Sequence, residues 1–463
     1  MFRMFAIPAA IAAFLILPSR AEAETLSLVG NSTKVCQLTG QIDWVTNHPT
    51  NAQTQSSAGL VAVDLGFPVD SGKGPLYFLF GDARPISHPP FGIVMPDDAL
   101  GLTTRTAPPD SQTCLDMRLT TSAPHIFAHP TVLPPIDQGT FNVPSGGTFL
   151  QDKFYAFFWT EHCSRPDVLL PDPIAPDTLP VSPMGSNCPE AAENNSIGYS
   201  VLAFSKPAKP AAFVWTIPPN PTYGQFLFHM PSGFAYVSSV EAKPEMGPNG
   251  PKPVVVPVFG AARYRASIPY LAMAPRDTFG DPDTWSFYGG LDASGNPKWL
   301  TRVQWESGHN SAGQWLAPPG AELYAANPPG ERCVGEHSVT WNEPLKRWLL
   351  LYNCGLWNIE ARFAPDPWGP WSPPTSILNL AQPVLCSLIM SENGCPGQTT
   401  YWPPLANGKT TPGFFYAPFV LNRYTQATPP QGAATRSATI YWLVSTWNPY
   451  QVVVMQSTLV LTP

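Results

Sequence analysis

The sequence predicts an all-β protein, a five-bladed β-propeller, on the basis of three observations. Short runs rich in Val, Tyr, Phe and Trp recur along the chain and are bounded by Gly, Pro, Asn or Asp, as strands are. After residue 23, no apolar stripe at helical spacing continues over three turns. A unit of strand, proline-bearing turn and aromatic anchor recurs in three copies. The alternative architecture is a pair of β-sandwiches.

The composition of the chain excludes several classes of protein. Of its 463 residues, 44% are hydrophobic and 12% are aromatic, which is enough apolar surface to form a compact core. Charged residues make up only 12%, which excludes a coiled coil or a solvated helical bundle. The formal net charge is −7 and no basic run occurs, so neither nucleic acid nor a membrane surface is an expected partner.

Residues 1–23 have the pattern of a signal peptide. Arg3 precedes an apolar stretch from Phe5 to Pro18, and Ala21-Glu22-Ala23 provides small residues around a cleavage point. The apolar stretch is shorter than the roughly 20 residues of a spanning helix, which disfavours an uncleaved membrane anchor. We therefore expect a secreted or periplasmic protein whose residues 24–463 form a single propeller domain.

All eight cysteines follow this segment, and an even count in an exported chain favours disulfides. Sequence proximity pairs Cys163 with Cys188, Cys333 with Cys354, and Cys386 with Cys395, which leaves Cys36 for Cys114. No Cys-x-x-Cys or His-Glu-x-x-His pattern occurs, so no zinc site is expected.

The strand pattern continues through most of the chain. The repeat copies begin at Val201, Tyr270 and Ile359 and lead to Trp215, Trp285 and Trp368 with Trp371, respectively. About 90 residues per blade imply long loops, and the proline-dense stretches Pro166–Pro189 and Pro207–Pro221 are interpreted as surface insertions. The predicted strands are Gly59–Leu65, Pro75–Gly81, Phe154–Thr160, Ser200–Ser205, Val254–Gly260, His337–Trp341, Arg347–Asn353, Phe414–Val420, Thr439–Ser445 and Gln451–Leu461.

The first hairpin carries a candidate pair of catalytic carboxylates. A turn centred near Gly72 and Lys73 would set Asp64 opposite Gly81 and beside Asp82. Opposed strand positions have Cβ atoms about 4.5–5.5 Å apart and diagonal positions about 7–8 Å, which overlaps the spacing of glycosidase carboxylates. The alternative is that both aspartates only cap backbone N–H groups at strand ends.

Other polar residues are candidates for substrate binding or for a turn. Glu336 opens a hairpin whose same end carries Tyr352. His162 lies beside Glu161 and Cys163, and it is either a ligand contact or a surface histidine near a disulfide. Asp277, Asp281 and Asp283 lack the glycine and the terminal Glu of a calcium loop, and we interpret them as a structural turn. No cofactor is expected to be required, and a structural calcium ion has no supporting motif.

Several motifs resemble the domain-of-unknown-function 4185 (DUF4185) family, whose characterised members form glycoside hydrolase family 183. They follow the family's order over most of the chain after residue 23. The matching pieces are Asp64-Leu65-Gly66, Leu79-Phe80-Gly81-Asp82, Tyr264-Arg265-Ala266-Ser267, Tyr270-Leu271-Ala272, Gly335-Glu336-His337-Ser338-Val339, Pro367-Trp368-Gly369-Pro370-Trp371-Ser372, Tyr416-Ala417-Pro418 and Ser445-Thr446-Trp447-Asn448-Pro449-Tyr450. The sequence departs from the family at Ala83, where Thr or Ser is usual, and at His337, where Leu is usual.

The resemblance implies a five-bladed propeller that cleaves α-D-arabinofuranosyl linkages within D-arabinan. It implies hydrolysis by Asp64 and Asp82, with inversion, and substrate-binding roles for Arg265 and Glu336. Tyr352 and His162 are further candidates for substrate binding. The expected partner is the polysaccharide, and the expected state is a monomer. The alternatives are a non-catalytic, lectin-like propeller, a hydrolase of another furanoside, or a structural extracellular domain.

Overall fold

The computed structural model describes most of the chain after residue 23. The predicted signal peptide (residues 1–23), His162, Cys163, Cys188, Cys395 and both proline-dense stretches lie outside the described residues. The residues that the structure describes are 24–72, 74–85, 98–120, 142–160, 199–205, 228–229, 233–234, 236–240, 246–247, 250–251, 255–262, 265, 267–308, 315–325, 332–355, 358–379, 386–389, 414–430, 432, 435–447 and 450–463.

Five antiparallel sheets form the blades of a β-propeller. Two strands and a helix come first: β1 Thr25–Leu28, β2 Thr33–Gln37 and α1 Thr54–Ala58. Blade 1 contains β3 Leu60–Asp70, β4 Leu76–Pro85, β5 Ala99–Thr103 and β6 Arg118–Leu119. Blade 2 contains β7 Asn142–Leu150, β8 Lys153–Thr160, β9 Tyr199–Ser205 and β10 Phe228–His229.

The remaining blades follow in chain order. Blade 3 contains β11 Tyr236–Val240, then β14 Val255–Ala261, β15 Tyr270–Pro275, β16 Ser286–Leu291 and β17 Pro297–Leu300; the hairpin of β12 Met246–Gly247 and β13 Gly250–Pro251 interrupts it. After α2 Arg302–Glu306, blade 4 contains β18 Val334–Asn342, β19 Arg347–Cys354, β20 Asn358–Ala364 and β21 Thr375–Asn379. Blade 5 contains β22 Phe414–Val420, β23 Gln426–Ala427, β24 Arg436–Trp447 and β25 Gln451–Thr462.

The first strand of each blade lies innermost. Strands β3, β7, β11, β18 and β22 contact one another in a closed ring, which defines the central axis. Within the described ranges, no helix is both long and apolar enough to cross a membrane.

The structure confirms the predicted fold and the predicted strands. The three copies of the repeat fall on β9, β15 and β20, which are the third strands of blades 2, 3 and 4. Each copy therefore marks the same position in successive blades. The predicted turn at Asp281 is also present, because its side chain accepts a hydrogen bond from the Asp283 backbone N–H at 3.1 Å.

The apolar core fills the seams between blades. One cluster joins blades 5, 1 and 2, and three others join blades 4 and 5, blades 2 and 3, and blades 3 and 4. Because each sheet is covered on both faces, a central strand is apolar throughout: the β4 residues from Leu76 to Phe80 are all buried. This explains why β4 lacks the alternation of a half-buried strand.

The chain closes the ring by joining its first strands to its last. In blade 5, β1 and β2 lie end to end along β25, with Thr25 opposite Thr462 and Thr33 opposite Gln456. The Cys36–Cys114 disulfide then ties β2 to the loop after β5 in blade 1. The ring is therefore locked covalently at the seam between blades 5 and 1.

The predicted cysteine pairing is confirmed where both partners are described. Cys36 is bonded to Cys114 and Cys333 to Cys354. Cys386 is also disulfide-bonded. Its predicted partner, Cys395, and the predicted pair Cys163–Cys188 lie outside the described part of the chain.

Replacing Cys36 and Cys114 together by alanine should lower the free energy of unfolding by about 4 kcal/mol. The bond closes a separation of 78 residues, and its loss frees a long loop in the unfolded chain. Chemical denaturation without reductant measures the change. Cys333→Ala with Cys354→Ala is the matched control, because its separation of 21 residues predicts a smaller loss, about 3 kcal/mol. An unchanged unfolding midpoint in the Cys36/Cys114 variant would contradict the assignment.

Candidate active site

Every innermost strand has a β-bulge. A bulge bends the strand and re-aims the side chains around it, and bulges are common beside active sites. The register shifts lie between Leu65 and Phe67, Pro144 and Gly146, Val237 and Ser239, Val334 and His337, and Tyr416 and Phe419. The candidate site is built at three of these irregularities, on β3, β18 and β22.

Serine side chains bond to backbone groups across the blade seams. An innermost strand pairs with a sheet neighbour on one side only, so its other backbone groups need partners. Ser445 Oγ accepts from the Leu65 N–H at 2.8 Å, Ser338 Oγ donates to the Pro418 carbonyl at 2.9 Å, and Ser145 Oγ donates to the Val237 carbonyl at 2.6 Å. These contacts hold the bulged strands in place around the axis.

Asp64 lies on β3 at the register that the sequence predicts. Its Cα partner on β4 is Gly81, and Leu65 faces Phe80. Leu65 and Gly66 both have positive φ angles, 61° and 76°, which turns the chain sharply directly after Asp64. Asp64 itself is 4% exposed. The bulge thus places a carboxylate inside the ring instead of in an exposed turn.

Two tyrosines from blade 5 fix the carboxylate of Asp64. Tyr416 Oη and Tyr450 Oη each donate a hydrogen bond of 2.7 Å to Asp64 Oδ2. Both tyrosines are buried, so these are hydrogen bonds in a low-dielectric environment. Asp64 is therefore held in one orientation by a neighbouring blade and does not merely cap a turn of its own hairpin.

The second aspartate of the predicted pair, Asp82, lies on β4 directly after Gly81. Its side chain lies outside the described part of the structure. A Cβ built at Gly81 would lie 3.2 Å from Asp64 Oδ1 and 2.2 Å from Val143 Cγ1. Only glycine fits here, so the backbone of β4 approaches Asp64 closely at the residue before Asp82.

Arg265 and Glu336 form an ion pair at the same site. Arg265 Nη2 lies 3.4 Å from both oxygens of Glu336. The Glu336 side chain is 2% exposed and that of Arg265 is 26% exposed. With its nitrogen turned towards Glu336, the Asn353 amide donates to the Glu336 carbonyl oxygen at 3.1 Å and to Oε2 at 3.3 Å. Glu336 is thus the buried anchor and Arg265 is the accessible member.

Local backbone pairing explains why Arg265 reaches Glu336. The Arg265 N–H donates to the Val334 carbonyl at 3.0 Å, and the Val334 N–H donates to the Ser267 carbonyl at 3.2 Å. These bonds join the loop after β14 to the start of β18. A Cβ at Gly335 would lie 2.7 Å from Arg265 Cγ, so glycine is needed for the side chain to pass.

Tyr416 connects the ion pair to Asp64. The Arg265 guanidinium carbon lies 5.4 Å from the centroid of the Tyr416 ring and 5.5 Å from that of Phe414, which are cation–π distances. The same tyrosine donates to Asp64. A chain of contacts therefore runs from Asp64 in blade 1 through Tyr416 in blade 5 to Arg265 and Glu336 in blades 3 and 4.

The structure does not bring every predicted residue to this cluster. Tyr352 lies on β19, where its hydroxyl donates to Glu360 Oε2 at 2.6 Å and accepts from Arg362 Nε at 2.9 Å. Burial raises the pKa of Tyr352, so it remains a neutral phenol. Tyr352 supports a network within blade 4. His162 lies outside the described residues.

Two functional candidates were missed by reasoning from single motifs. Tyr416 and Tyr450 are separated from Asp64 by 352 and 386 residues in the sequence, so no local spacing connects them to it. Their only signal is that each lies in a motif that carries the family resemblance, Tyr416-Ala417-Pro418 and the closing Ser445–Tyr450 segment.

His337, next to Glu336, is fully buried on β18. Its Nδ1 lies 2.9 Å from the carbonyl oxygen of Gly335, which assigns the ring proton to Nδ1. Burial lowers the pKa of His337 to about 4, although the bond to Gly335 acts in the opposite direction. The imidazole is therefore neutral in the folded protein at neutral pH.

The buried His337 should make the protein less stable as the pH falls from about 6.5 to about 4. In this window the unfolded chain binds a proton that the folded chain does not, because the ordinary pKa of 6.5 exceeds the folded value. The expected loss is about 3 kcal/mol. Urea denaturation at several pH values should show a flatter profile for His337→Leu. His48→Gln, at an exposed histidine, should keep the wild-type slope. An unchanged slope in His337→Leu would contradict the assignment.

Comparisons with known proteins give a family and distant structural likenesses. The model of the family described as domain of unknown function (DUF4185) matches residues 221–456, which include Arg265, Glu336, Tyr416 and Tyr450. A search of curated proteins found no match.

Three solved structures resemble the chain at low identity. They are a candidate hydrolase from Bacteroides ovatus (10% identity, 87% of this chain and 87% of that chain, TM-score 0.40), the GH43_1 enzyme from Xanthomonas citri (10%, 87% and 91%, TM-score 0.35) and the α-L-arabinofuranosidase PaAbf62A from Podospora anserina (8%, 92% and 97%, TM-score 0.35). At these TM-scores the likeness carries no argument about activity. The family match covers just over half of the chain, and the protein therefore belongs to the DUF4185 family.

Proposed function

We propose that this protein is a glycoside hydrolase that cleaves α-D-arabinofuranosyl linkages within D-arabinan, with Asp64 and Asp82 as the catalytic pair. The observation that carries the proposal is the placement of Asp64. Its carboxylate is buried inside the propeller ring and fixed by Tyr416 and Tyr450, next to the strand position that precedes Asp82. Burying a carboxylate costs free energy, and a buried carboxylate positioned by residues of two blades is typical of catalytic centres.

The proposed reaction is hydrolysis with inversion at the anomeric carbon. One carboxylic acid protonates the departing glycosidic oxygen, while the other carboxylate accepts a proton from the water that attacks the anomeric carbon. Two hydroxyl groups donate hydrogen bonds to Asp64 Oδ2, and such bonds favour the ionised carboxylate that can accept a proton from water. We therefore assign Asp64 as the base and Asp82 as the acid. No cofactor takes part in this proposal.

Arg265 is assigned to bind the substrate. It is the exposed member of its ion pair, and its guanidinium is oriented by Glu336, Tyr416 and Phe414. The N–H groups that it can present are suited to the hydroxyl oxygens of a furanose ring. Glu336 acts through Arg265, because at 2% exposure its carboxylate is enclosed by Arg265 and Asn353.

A location outside the cytoplasm fits a polymeric substrate that cannot enter the cell. The disulfides Cys36–Cys114 and Cys333–Cys354 support this location, since such bonds persist in oxidising compartments. The proposal therefore includes secretion to the periplasm or the exterior.

Purified protein should shorten D-arabinan to oligosaccharides, and Asp64→Asn and Asp82→Asn should each lower kcat by about a thousandfold. Asparagine keeps the shape of the side chain but cannot exchange the proton. Chromatography of the products measures the rate, and proton NMR of fresh product should show the β anomer first. Asp116→Asn, at an exposed aspartate outside the site, should leave the rate unchanged. Full activity in both Asn variants would overturn the site, whereas binding of D-arabinan without cleavage by the wild type would indicate a lectin-like propeller.

Tyr416→Phe and Tyr450→Phe should each lower kcat by about tenfold, because each removes one hydroxyl donor from Asp64 Oδ2. The ring remains, so packing in the seam is preserved. Tyr424→Phe is the matched control: it is also buried, but its hydroxyl donates to the Arg105 carbonyl. If Tyr424→Phe lowers kcat as much as the other two, the loss is general and the role of the tyrosines at Asp64 is refuted.

A further inference from the structure

A cavity of about 370 Å³ lies at the seam between blades 3 and 4, in the segment that precedes β18. This volume is within the range of small-molecule sites. Its walls include Pro318, Pro319 and Ala325, and its polar groups come from Glu322, Tyr324 and Arg332. Neither the catalytic pair nor the Arg265–Glu336 pair uses these residues.

Two short chain connections tie the cavity to the active site. Arg332 precedes Glu336 by four residues, and the Leu323 N–H donates to the carbonyl of Pro269, four residues after Arg265, at 3.2 Å. Four extended residues span at most about 14 Å. The cavity wall is therefore anchored within about 14 Å of Glu336 through Arg332 and, across the hydrogen bond between Leu323 and Pro269, within roughly 20 Å of Arg265.

The polar groups of the cavity form a forked ion pair. Arg332 Nη2 lies 2.8 Å from Glu322 Oε2, and Nη1 contacts Oε1. Among the described residues these two side chains bond only to each other. A guanidinium has five N–H donors and a carboxylate accepts about four hydrogen bonds, so roughly three donors and two acceptor sites remain.

This combination selects an uncharged ligand rich in hydroxyl groups. The charges of Arg332 and Glu322 neutralise each other, so the cavity offers hydrogen-bond donors and acceptors side by side without a net charge that would attract an ion. The proline and alanine walls provide apolar contact for C–H groups. Tyr324 adds an aromatic ring, which the Arg362 guanidinium, 3.9 Å from its centroid, holds in place.

We propose that this cavity is an accessory subsite that binds a sugar unit of the same polysaccharide chain, remote from the scissile bond. The proposal rests on the proposed function for the identity of the chain. Glu322 and Arg332 would bond to its hydroxyl groups, and the prolines and Tyr324 would pack against the ring. The subsite lengthens the stretch of polymer that the enzyme holds and favours long substrates over short ones.

Arg332→Gln and Ala325→Phe test the subsite. The first removes the guanidinium donors and the second fills the cavity, and both positions are exposed, so the fold should tolerate the changes. For a D-arabinan octasaccharide we expect KM to rise about tenfold with kcat unchanged, and for a tetrasaccharide neither constant should change. Lys346→Gln is the matched control, because it breaks an exposed ion pair at the opposite end of β18.

Kinetic constants that match the wild type in both variants would overturn the subsite. So would a lower kcat on both substrates, because that result would place the cavity in the chemistry or the fold.

Direct binding separates this proposal from the proposed function. The octasaccharide is titrated calorimetrically into Asp64→Asn protein with and without Arg332→Gln, and the affinity should fall about tenfold in the double variant. If the wild type cleaves no D-arabinan, the same titration is made with galactofuranan and xylan octasaccharides. Binding that depends on Arg332 would then support the cavity and reject the hydrolase proposal. An affinity that is the same with and without Arg332→Gln, or no binding at all, would reject the proposal that the cavity binds sugar.

Discussion

The innermost strand of each blade has a hydrogen-bonded neighbour on one side only, and this constraint shapes the centre of the molecule. Its remaining backbone groups must find partners across the seams, where Ser145, Ser338 and Ser445 supply them. The bulges in the same strands turn selected side chains inwards. A polar centre is thus a consequence of closing sheets into a ring, and the candidate site occupies the part of that centre where a carboxylate and a guanidinium are introduced.

The site combines charges that no single blade could hold. Asp64 comes from blade 1, its two hydroxyl donors from blade 5, Arg265 from blade 3 and Glu336 from blade 4. Glu336 is enclosed and fixes Arg265, while Tyr416 contacts both Arg265 and Asp64. Because each charge has partners, the cluster tolerates burial that would otherwise be very unfavourable. A small change in the packing of one blade should therefore shift the positions of the site side chains that come from the other blades.

Local pattern was sufficient to predict the strands, the register that sets Asp64 opposite Gly81, and the Cys333–Cys354 bond, since each depends on residues near one another in the sequence. The tyrosines at Asp64 depend on ring closure, which no local spacing reveals. Tyr352 illustrates a second limit. Blade sheets are buried on both faces, so the sequence pattern identifies a strand but does not show on which face a given side chain lies. The Tyr352 hydroxyl is hydrogen-bonded to Glu360 and Arg362 within blade 4.

The pairing of β1 and β2 with β25 has a consequence for how the chain matures. Blade 5 combines β1 and β2 with β25, so it cannot be completed until β25 has been made and has left the ribosome. Blades 1 to 4 can assemble earlier from contiguous segments, while an unfinished sheet edge waits for its partner. Such distant contacts slow folding and leave strand edges open to wrong pairing meanwhile. Keeping the earlier segments unfolded until β25 is available would suit this topology.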